Sequence, residues 1–471
     1  MNDELSDNVA VDDETGLETG QIGRAGLVSL SLSSFLPAVG MALAPFLLYV
    51  TVGATAWLPS LLSMIAMICV GKAIIAFAQR YVATGSLYSY VGEVFGRWAV
   101  YLVGASLLGG FIVATGSLIS TVGVFTGSFL SNIGMSGAMG TGPQLVILVV
   151  AVAAASAVAL RGLDTSVLVA ATLTVVSLPL LVVITAASVV HNGIDFGAQV
   201  TFSGTGVSAV FTGMAFGTAY LLGFESCAAL AVETKNPKSS VPIAVMVVPV
   251  VLGTLFTAAT VLQIGGLEAA KSLLDQGMSA PAAIATVSGL GSSVAVATDA
   301  VLAVSVYASL LGFINFGSRF LLTLSDDGHL PKAVGRVSEQ RRIPVAGIAV
   351  MCVAGLAVAI AFLCATGDIV VAYTDIAPLF VELWVLPYIL ICAAAVVLTF
   401  RIGQRSWGVL ISSILGGGFM VWLYINGLSA GGVSGAMSWT AVTMTAVIVA
   451  LFAIVRRTAP VANGSVASEV G

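Results

Sequence analysis

Charged side chains are scarce in this sequence. Of its 471 residues, 8% are charged and 58% are hydrophobic, whereas soluble domains carry about 25% charged residues. A mean hydropathy of +1.08 excludes an ordinary soluble protein. Apolar stretches of about 20 residues recur along the whole chain, and each is long enough to cross a hydrocarbon core of about 30 Å. The sequence therefore predicts a polytopic membrane protein without a separate soluble domain.

Histidine and cysteine are also rare. The two histidines offer almost nothing to a histidine-based metal site or catalytic dyad, so we predict no metal, no cofactor and no enzyme activity. The five cysteines lie in or near apolar runs without paired spacing, which is typical of small buried hydrophobic residues. A glycine loop ending in Gly-Lys-Ser/Thr is missing too, which argues against direct ATP drive.

The long apolar runs favour helices, because they contain interior Gly, Pro and Ser and lack the alternation of a membrane barrel. We predict an all-α protein with twelve transmembrane helices in one domain, residues 24–456, whose last two helices occupy about 408–455. If the N-terminus is cytoplasmic, every base except Lys271 and Lys72 lies on the inner side. The positive-inside rule then predicts a multi-pass protein of the cell membrane with both termini in the cytoplasm, including a C-terminal tail at 457–471.

Residues 1–23 have a different composition. The first 20 residues hold seven acids and no base, which predicts a disordered cytoplasmic tail. It does not resemble a cleavable signal, since its start is acidic and no apolar core follows at once. A pro-segment, a regulatory tail and a solvating arm all fit this composition.

The first span contains two prolines that interrupt its hydrogen-bond ladder. Pro37 cannot donate to the carbonyl of Ser33, and Pro45 cannot donate to that of Met41. We predict a break in this helix; the alternative is a proline kink satisfied by neighbouring serines. The sixth span is rich in glycine, which serves either a second break or close helix packing. Interruptions in spans one and six are the pattern expected of an inverted repeat of five plus five helices.

Glu225 lies in this glycine-rich sixth span. It precedes Glu233 by eight residues, which places it about 12 Å deeper and near the middle of the bilayer. A carboxylate at that depth must face the bundle, be paired or be protonated. Two interpretations stay open: Glu225 binds and releases a proton, or it only ties helices together.

Several other polar residues occur at membrane depth. Asp375 and Glu382 are seven residues apart on one face of the tenth helix, where they could attract a cation, carry a proton or form a structural polar pair. Lys72 could pair with a carboxylate of the bundle, replace a cation site or extend to the interface. Ser305 and Ser309, one turn apart on the eighth helix, could supply hydroxyls to a sodium site beside the first helix.

Three stretches resemble one family. Residues 223–245, "GFESCAALAVETKNPKSSVPIAV", resemble the sixth-helix signature of the amino acid/polyamine/organocation (APC) permeases. Residues 80–96, "RYVATGSLYSYVGEVFG", and 317–345, "GSRFLLTLSDDGHLPKAVGRVSEQRRIPV", are similar to that family's segments after the second helix and from the eighth helix into the ninth. The chain is identified by these motifs and their order as a member of this superfamily.

The resemblance implies a LeuT-type fold with broken helices 1 and 6, one repeat at about 27–190 and the second at about 207–398. It implies that the substrate meets the two breaks. By position these comprise Ser33, Ser34, Phe35, Leu36, Pro37, Ala38, Val39 and Gly40 in the first and Ala219, Tyr220, Leu221, Leu222 and Gly223 in the second. Phe224 would be a hydrophobic gate, and Glu225 the proton-coupling or gating carboxylate. The first break has fewer glycines than the family pattern, which changes the expected cradle for a substrate carboxylate.

We therefore expect a secondary active permease for amino acids or related small amines, proton-coupled or exchanging, that works by alternating access in the lipid bilayer. The alternative within this fold is a polyamine or organic-amine importer. A membrane-embedded enzyme would need a polar constellation at membrane depth, and a channel would need a ring of pore-lining groups; neither pattern is visible. We expect a small-molecule substrate and protons as partners, and no nucleic acid.

Overall fold

The computed structural model describes residues 17–82, 85–202, 205–275, 278–401 and 406–458, and within these ranges the regular secondary structure is helical apart from an isolated bridge. The α-helices are α1 (Arg24–Ser34), α2 (Pro37–Val52), α3 (Trp57–Ala78), α4 (Leu87–Phe95), α5 (Arg97–Asn132), α6 (Thr141–Ala159), α7 (Leu163–Asn192), α8 (Phe196–Gln199), α9 (Val207–Ala219), α10 (Pro237–Val247), α11 (Gly253–Ala269), α12 (Lys271–Asp275), α13 (Ala280–Val287), α14 (Ser292–Asp326), α15 (Val345–Thr366), α16 (Ile369–Arg401), α17 (Trp407–Ser429) and α18 (Gly432–Thr458). Two 3-10 segments, Gly53–Ala56 and Phe224–Leu230, and a π-helical turn, Val248–Leu252, complete the set.

Eleven helical segments of the described chain are long and apolar enough to cross a membrane. Ten of them, from Arg97–Asn132 to Gly432–Arg456, equal in number the spans predicted from the third to the twelfth. The first, Arg24–Ala78, is 55 residues long and contains α1, α2 and α3. Since one crossing takes about 20 residues, this segment has the length for two. The all-helical polytopic fold is confirmed, whereas the division into twelve crossings and the inverted repeat stay predictions.

The N-terminal segment departs from its predicted disorder. Residues 1–16 of the predicted acidic tail lie outside the described residues, but Ile22 is buried and forms a parallel bridge with Thr234. The Ile22 amide donates to the Glu233 carbonyl at 2.8 Å, and the Lys235 amide donates to the Ile22 carbonyl at 2.8 Å. Average composition does not reveal this docking, because the buried residues of the segment, Leu17 and Ile22, are two apolar residues among many acids.

The opposite end of the chain also differs by a few residues. Helix α18 continues to Thr458 and so includes the start of the predicted C-terminal tail at 457–471. The remaining residues of that tail lie outside the part of the chain that the structure describes.

The centre of the bundle is α5, the most deeply buried of the eleven segments. It packs against α14, α15, α16 and α18. Small residues allow this closeness: a Cβ added at Gly110 would lie 2.9 Å from the indole of Trp384 on α16. Gly110 of α5 thereby leaves room for the side chain of Trp384, which borders the candidate site.

Candidate substrate site at two interrupted helices

The first interruption lies between α1 and α2. Helix α1 ends at Ser34, Leu36 adopts the left-handed conformation with φ 52°, and α2 begins at Pro37. Because Pro37 has no N–H, the Ser33 carbonyl loses its ladder partner. The Ser309 hydroxyl of α14 donates to that carbonyl at 3.3 Å and accepts from the Leu36 amide at 3.2 Å. A single side chain thus satisfies two of the backbone groups at the break.

The second proline of the first span does not interrupt the helix. Pro45 lies inside α2, and the Met41 carbonyl, which it deprives of a partner, accepts from Nε2 of Gln263 on α11 at 3.1 Å. Only one of the two predicted weak points is therefore a break.

The second interruption follows α9, which ends at Ala219. Gly223 has φ 86°, and the 3-10 segment begins directly after it. A Cβ at Gly223 would lie 3.1 Å from the indole of Trp384, so both the backbone conformation and the space require glycine here. The Gly223 amide donates to the Tyr388 hydroxyl at 2.8 Å, which ties this break to α16.

A cavity of about 510 Å³ lies at the two breaks, within the range of small-molecule sites. Most of its lining is apolar, including Leu36, Leu118, Phe216 and Phe313. Seven of the residues implied by the family resemblance line this cavity: Ser34, Phe35, Leu36, Val39, Ala219, Tyr220 and Leu222. The others, Ser33, Pro37, Ala38, Gly40, Leu221 and Gly223, are not among the lining residues.

Glu225 lies next to the second break and is 2% exposed. Its Oε1 accepts a hydrogen bond from Trp384 Nε1 at 3.0 Å, and its Oε2 accepts one from the Tyr388 hydroxyl. Both donors are neutral. The sequence reasoning missed Trp384 and Tyr388, although their spacing of four residues on α16, which places two polar-tipped aromatics on one helix face, could have indicated them.

Phe224 is fully buried and packs on Tyr388 with ring centroids 5.7 Å apart. It is not among the residues that line the cavity. The rings of Phe35 and Phe313 line it and meet edge to face at 5.6 Å, and Phe313 meets Trp384 at 6.1 Å. Phe35 and Phe313 thus connect the cavity to Trp384, which bonds Glu225. The gating role of Phe224 stays a prediction.

The three secondary candidates lie in different environments. Lys72 is exposed on α3, Asp375 is half-buried, and neither lines the cavity. Glu382 is 2% exposed and does line it. Of the two candidate serines on α14, Ser309 is engaged at the first break, while the buried Ser305 hydroxyl has no hydrogen-bond partner among the described residues.

A buried ion pair holds the far end of the second interruption. Arg319 on α14 donates from Nε to Glu233 Oε2 at 2.7 Å and from Nη2 to Oε1 at 2.9 Å, and both side chains are at most 1% exposed. Its Nη1 also donates to Asn315 Oδ1 at 3.0 Å. This bidentate arrangement fixes orientation as well as distance. The sequence analysis used Arg319 only as one of the bases that indicate topology. Glu233 and Arg319 both occur in the stretches that resemble the family, and this was the available sign that they have a shared role.

A polytopic helical bundle with a small-molecule cavity at two interrupted helices has the architecture of a membrane transporter. Residues 22–462 match the family model described as amino acid permease, and the chain belongs to that family. Family membership and fold indicate a transporter rather than an enzyme.

Known proteins with similar sequence and structure agree with this class. The chain is 27% identical to the branched-chain amino acid permease BcaP of Lactococcus lactis over 179 residues, a match that spans 38% of each protein. Two structures of a manganese transporter from Eremococcus coleocola superpose with TM-scores of 0.53 and 0.54 at 13% identity, covering 92% of this chain and 95% of theirs. At this identity the likeness concerns the fold alone. Among the described residues there is no group of three or more His, Cys, Asp or Glu side chains suited to a metal ion.

Proposed function

We propose that this protein is a secondary active permease for small aliphatic amino acids. The observation that carries the proposal is the mainly apolar cavity between two interrupted helices in a chain of the amino acid permease family. Residues such as Val39 and Leu118 suit an aliphatic side chain. The first turn of α2, whose Val39 lines the cavity, has no side-chain cap and suits a carboxylate, since helix N-termini attract anions.

We further propose that transport is proton-coupled or proceeds by exchange, with Glu225 as the coupling group. Glu225 is a buried carboxylate held by neutral donors directly after the second break. A change in its protonation would alter its bonds to Trp384 and Tyr388. Because Tyr388 also accepts from the Gly223 amide, that change would reach the break itself.

The topology that we propose has twelve crossings, a five-plus-five inverted repeat and both termini in the cytoplasm of a cell-membrane protein. The length of Arg24–Ala78 and the positions of the bases support it. Alternating access would then move the broken helices against the rest of the bundle.

The test is transport by the purified protein in liposomes. Labelled L-leucine, L-isoleucine and L-valine are offered under an imposed pH gradient, and to vesicles preloaded with unlabelled amino acid. We expect uptake or exchange that unlabelled aliphatic amino acids inhibit and that aspartate does not. If the protein neither takes up nor exchanges any amino acid under these gradients, the assignment is wrong.

One observation favours the organic-amine alternative: the carboxylate of Glu382 borders the cavity. Putrescine and spermidine are therefore included as competitors. If they inhibit more strongly than leucine, the protein is an amine importer of the same fold.

A further inference from the structure

A second cavity lies outside the candidate substrate site. It has a volume of about 320 Å³, and its lining comes from the end of α3, from α4 and from the first turn of α10. Arg80, Ser89, Glu93 and Lys238 are among the residues that line it, and we call this cavity the Arg80–Lys238 pocket. Its residues belong to two of the stretches that resemble the family, 80–96 and 223–245, and the proposed transport mechanism does not use them.

The charge of this pocket is positive. Arg80 and Lys238 contribute two cations, and Glu93 is the one acid among the described residues that line it. All three side chains are exposed, and neither base forms an ion pair with Glu93 within the part of the chain that the structure describes. Arg80 donates one N–H to the Ala76 carbonyl, which leaves its other N–H groups for a ligand. Two bases from distant segments therefore share one cavity and keep donors for an anion.

These donors suit a phosphate group. A guanidinium presents its N–H groups in a planar fork that matches the oxygens of a phosphate, an ammonium adds three more donors, and the Ser89 hydroxyl adds another. A divalent metal would instead need several oxygen ligands, and Glu93 supplies the one carboxylate of the described lining.

The pocket lies at the surface of the membrane. The membrane-crossing segment Arg24–Ala78 ends two residues before Arg80, and Lys238 is the second residue of the crossing segment Pro237–Ala269. Val82, which also lines the pocket, is 42% exposed, so part of the opening is apolar. Bases that lie next to a membrane span attract the headgroups of anionic lipids.

We propose that the Arg80–Lys238 pocket binds an anionic phosphate group at the membrane surface, supplied by a phospholipid headgroup or by free phosphate. In the proposed topology this is the cytoplasmic surface, but the binding itself depends neither on that topology nor on transport. Helix α10 follows the second interruption and packs against α3. A phosphate bound by both bases would therefore connect α10 to α3 at their ends.

The experiment measures binding to the full-length protein in a neutral detergent by calorimetry. The probes are dioctanoyl phosphatidylglycerol, which is anionic, dioctanoyl phosphatidylcholine, which has no net charge, and inorganic phosphate. Wild type is compared with Arg80→Gln, Lys238→Gln and Glu93→Gln. Lys235→Gln is the matched control, because Lys235 is an exposed base three residues before Lys238 that is not among the lining residues.

We expect phosphatidylglycerol to bind the wild type more tightly than phosphatidylcholine. Arg80→Gln and Lys238→Gln should each weaken phosphatidylglycerol binding by about fivefold, the size of one base's attraction to an anionic headgroup. Glu93→Gln should strengthen this binding, because it removes the opposing charge, and Lys235→Gln should leave it unchanged. If inorganic phosphate binds with the same dependence on both bases, free phosphate is a ligand; if phosphatidylglycerol alone does so, the source is the lipid.

Equal affinities of wild type, folded Arg80→Gln and Lys238→Gln for phosphatidylglycerol and phosphate would overturn the inference. An equal loss in Lys235→Gln would overturn it too, since the attraction would then come from the overall charge of this surface. Arg80→Gln also loses the bond to the Ala76 carbonyl. If that variant does not fold by size-exclusion chromatography, the exposed Lys238 and Glu93 provide the test, through opposite changes in affinity.

Discussion

At the scale of single residues, Glu225 joins a backbone break to two aromatic side chains of α16. Glutamine has nearly the same size as glutamate, but its side-chain amide does not take up or release a proton near neutral pH. We therefore expect Glu225→Gln to abolish pH-driven accumulation of leucine while exchange between equal concentrations continues. Uptake and exchange are measured side by side in liposomes as a function of pH.

Tyr388→Phe is the companion variant for Glu225→Gln. It removes the hydroxyl that bonds both Glu225 and the Gly223 amide but keeps the carboxylate. This variant should slow transport and weaken its pH dependence without abolishing it, because Trp384 still bonds Glu225. An unchanged pH profile in Glu225→Gln would rule out Glu225 as the coupling group.

His329 predicts a pH dependence of stability. It lies in the connection after α14, 3% exposed, with its ring 4.9 Å from that of Tyr101, and its Nδ1 has no hydrogen-bond partner among the described residues. Burial lowers the pKa of this imidazole; the nearby Asp327 opposes that shift and Arg456 adds to it. The unfolded chain, whose histidine pKa is about 6.5, therefore binds the proton more readily, and stability is lost as the pH falls below that value.

The measurement is the thermal unfolding temperature in detergent between pH 8 and pH 5. We expect it to fall on acidification, and to fall less in His329→Gln. The exposed His191 supplies the control, because His191→Gln should keep the wild-type profile. Identical profiles for His329→Gln and wild type would contradict the prediction.

At the scale of elements, the first break depends on one hydroxyl of α14. Ser309→Ala leaves the Leu36 amide and the Ser33 carbonyl without the partner they have now, at a cost of about 1–3 kcal/mol. Ser305→Ala is a matched control, since Ser305 is equally buried on the same helix and its hydroxyl has no partner among the described residues. We expect thermal unfolding to show a clear loss for the first variant and none for the second, and equal losses would refute this role of Ser309.

The same break shows what the sequence can and cannot predict about an element. Proline chemistry identifies the two carbonyls, at Ser33 and Met41, that lose their ladder partners. It does not identify the replacements, because Ser309 and Gln263 come from helices more than 200 residues away in the chain. For the same reason it does not tell which proline lies at a true interruption.

At the scale of the whole molecule, apolar length was sufficient to predict the helical spans, with α7, α9 and α16 ending or beginning within a few residues of expectation. Pairings between distant segments were not predictable in this way. The Glu233–Arg319 ion pair and the bridge of Ile22 to Thr234 depend on which helix ends meet. The composition of either partner alone does not carry that information.

The number of times the whole chain crosses the membrane depends on whether Arg24–Ala78 crosses once or twice. If this segment crosses twice, Ala54 and Ser136 face the outside and Lys238 faces the cytoplasm. A single crossing would bury Ala54 and exchange the sides of the other two. Ala54 is half-exposed, and Ser136 and Lys238 are exposed, so each can be replaced by cysteine as a reporter.

The reporters are introduced singly after Cys364 and Cys69 are changed to serine, since the other described cysteines are buried. A membrane-impermeant maleimide is applied to intact cells and to inverted vesicles. We expect Ala54→Cys and Ser136→Cys to react in cells and Lys238→Cys only in inverted vesicles, with all three reacting after permeabilisation. Reaction of Ser136→Cys only in inverted vesicles would disprove the twelve-crossing topology with a cytoplasmic N-terminus, because every later loop would then lie on the opposite side.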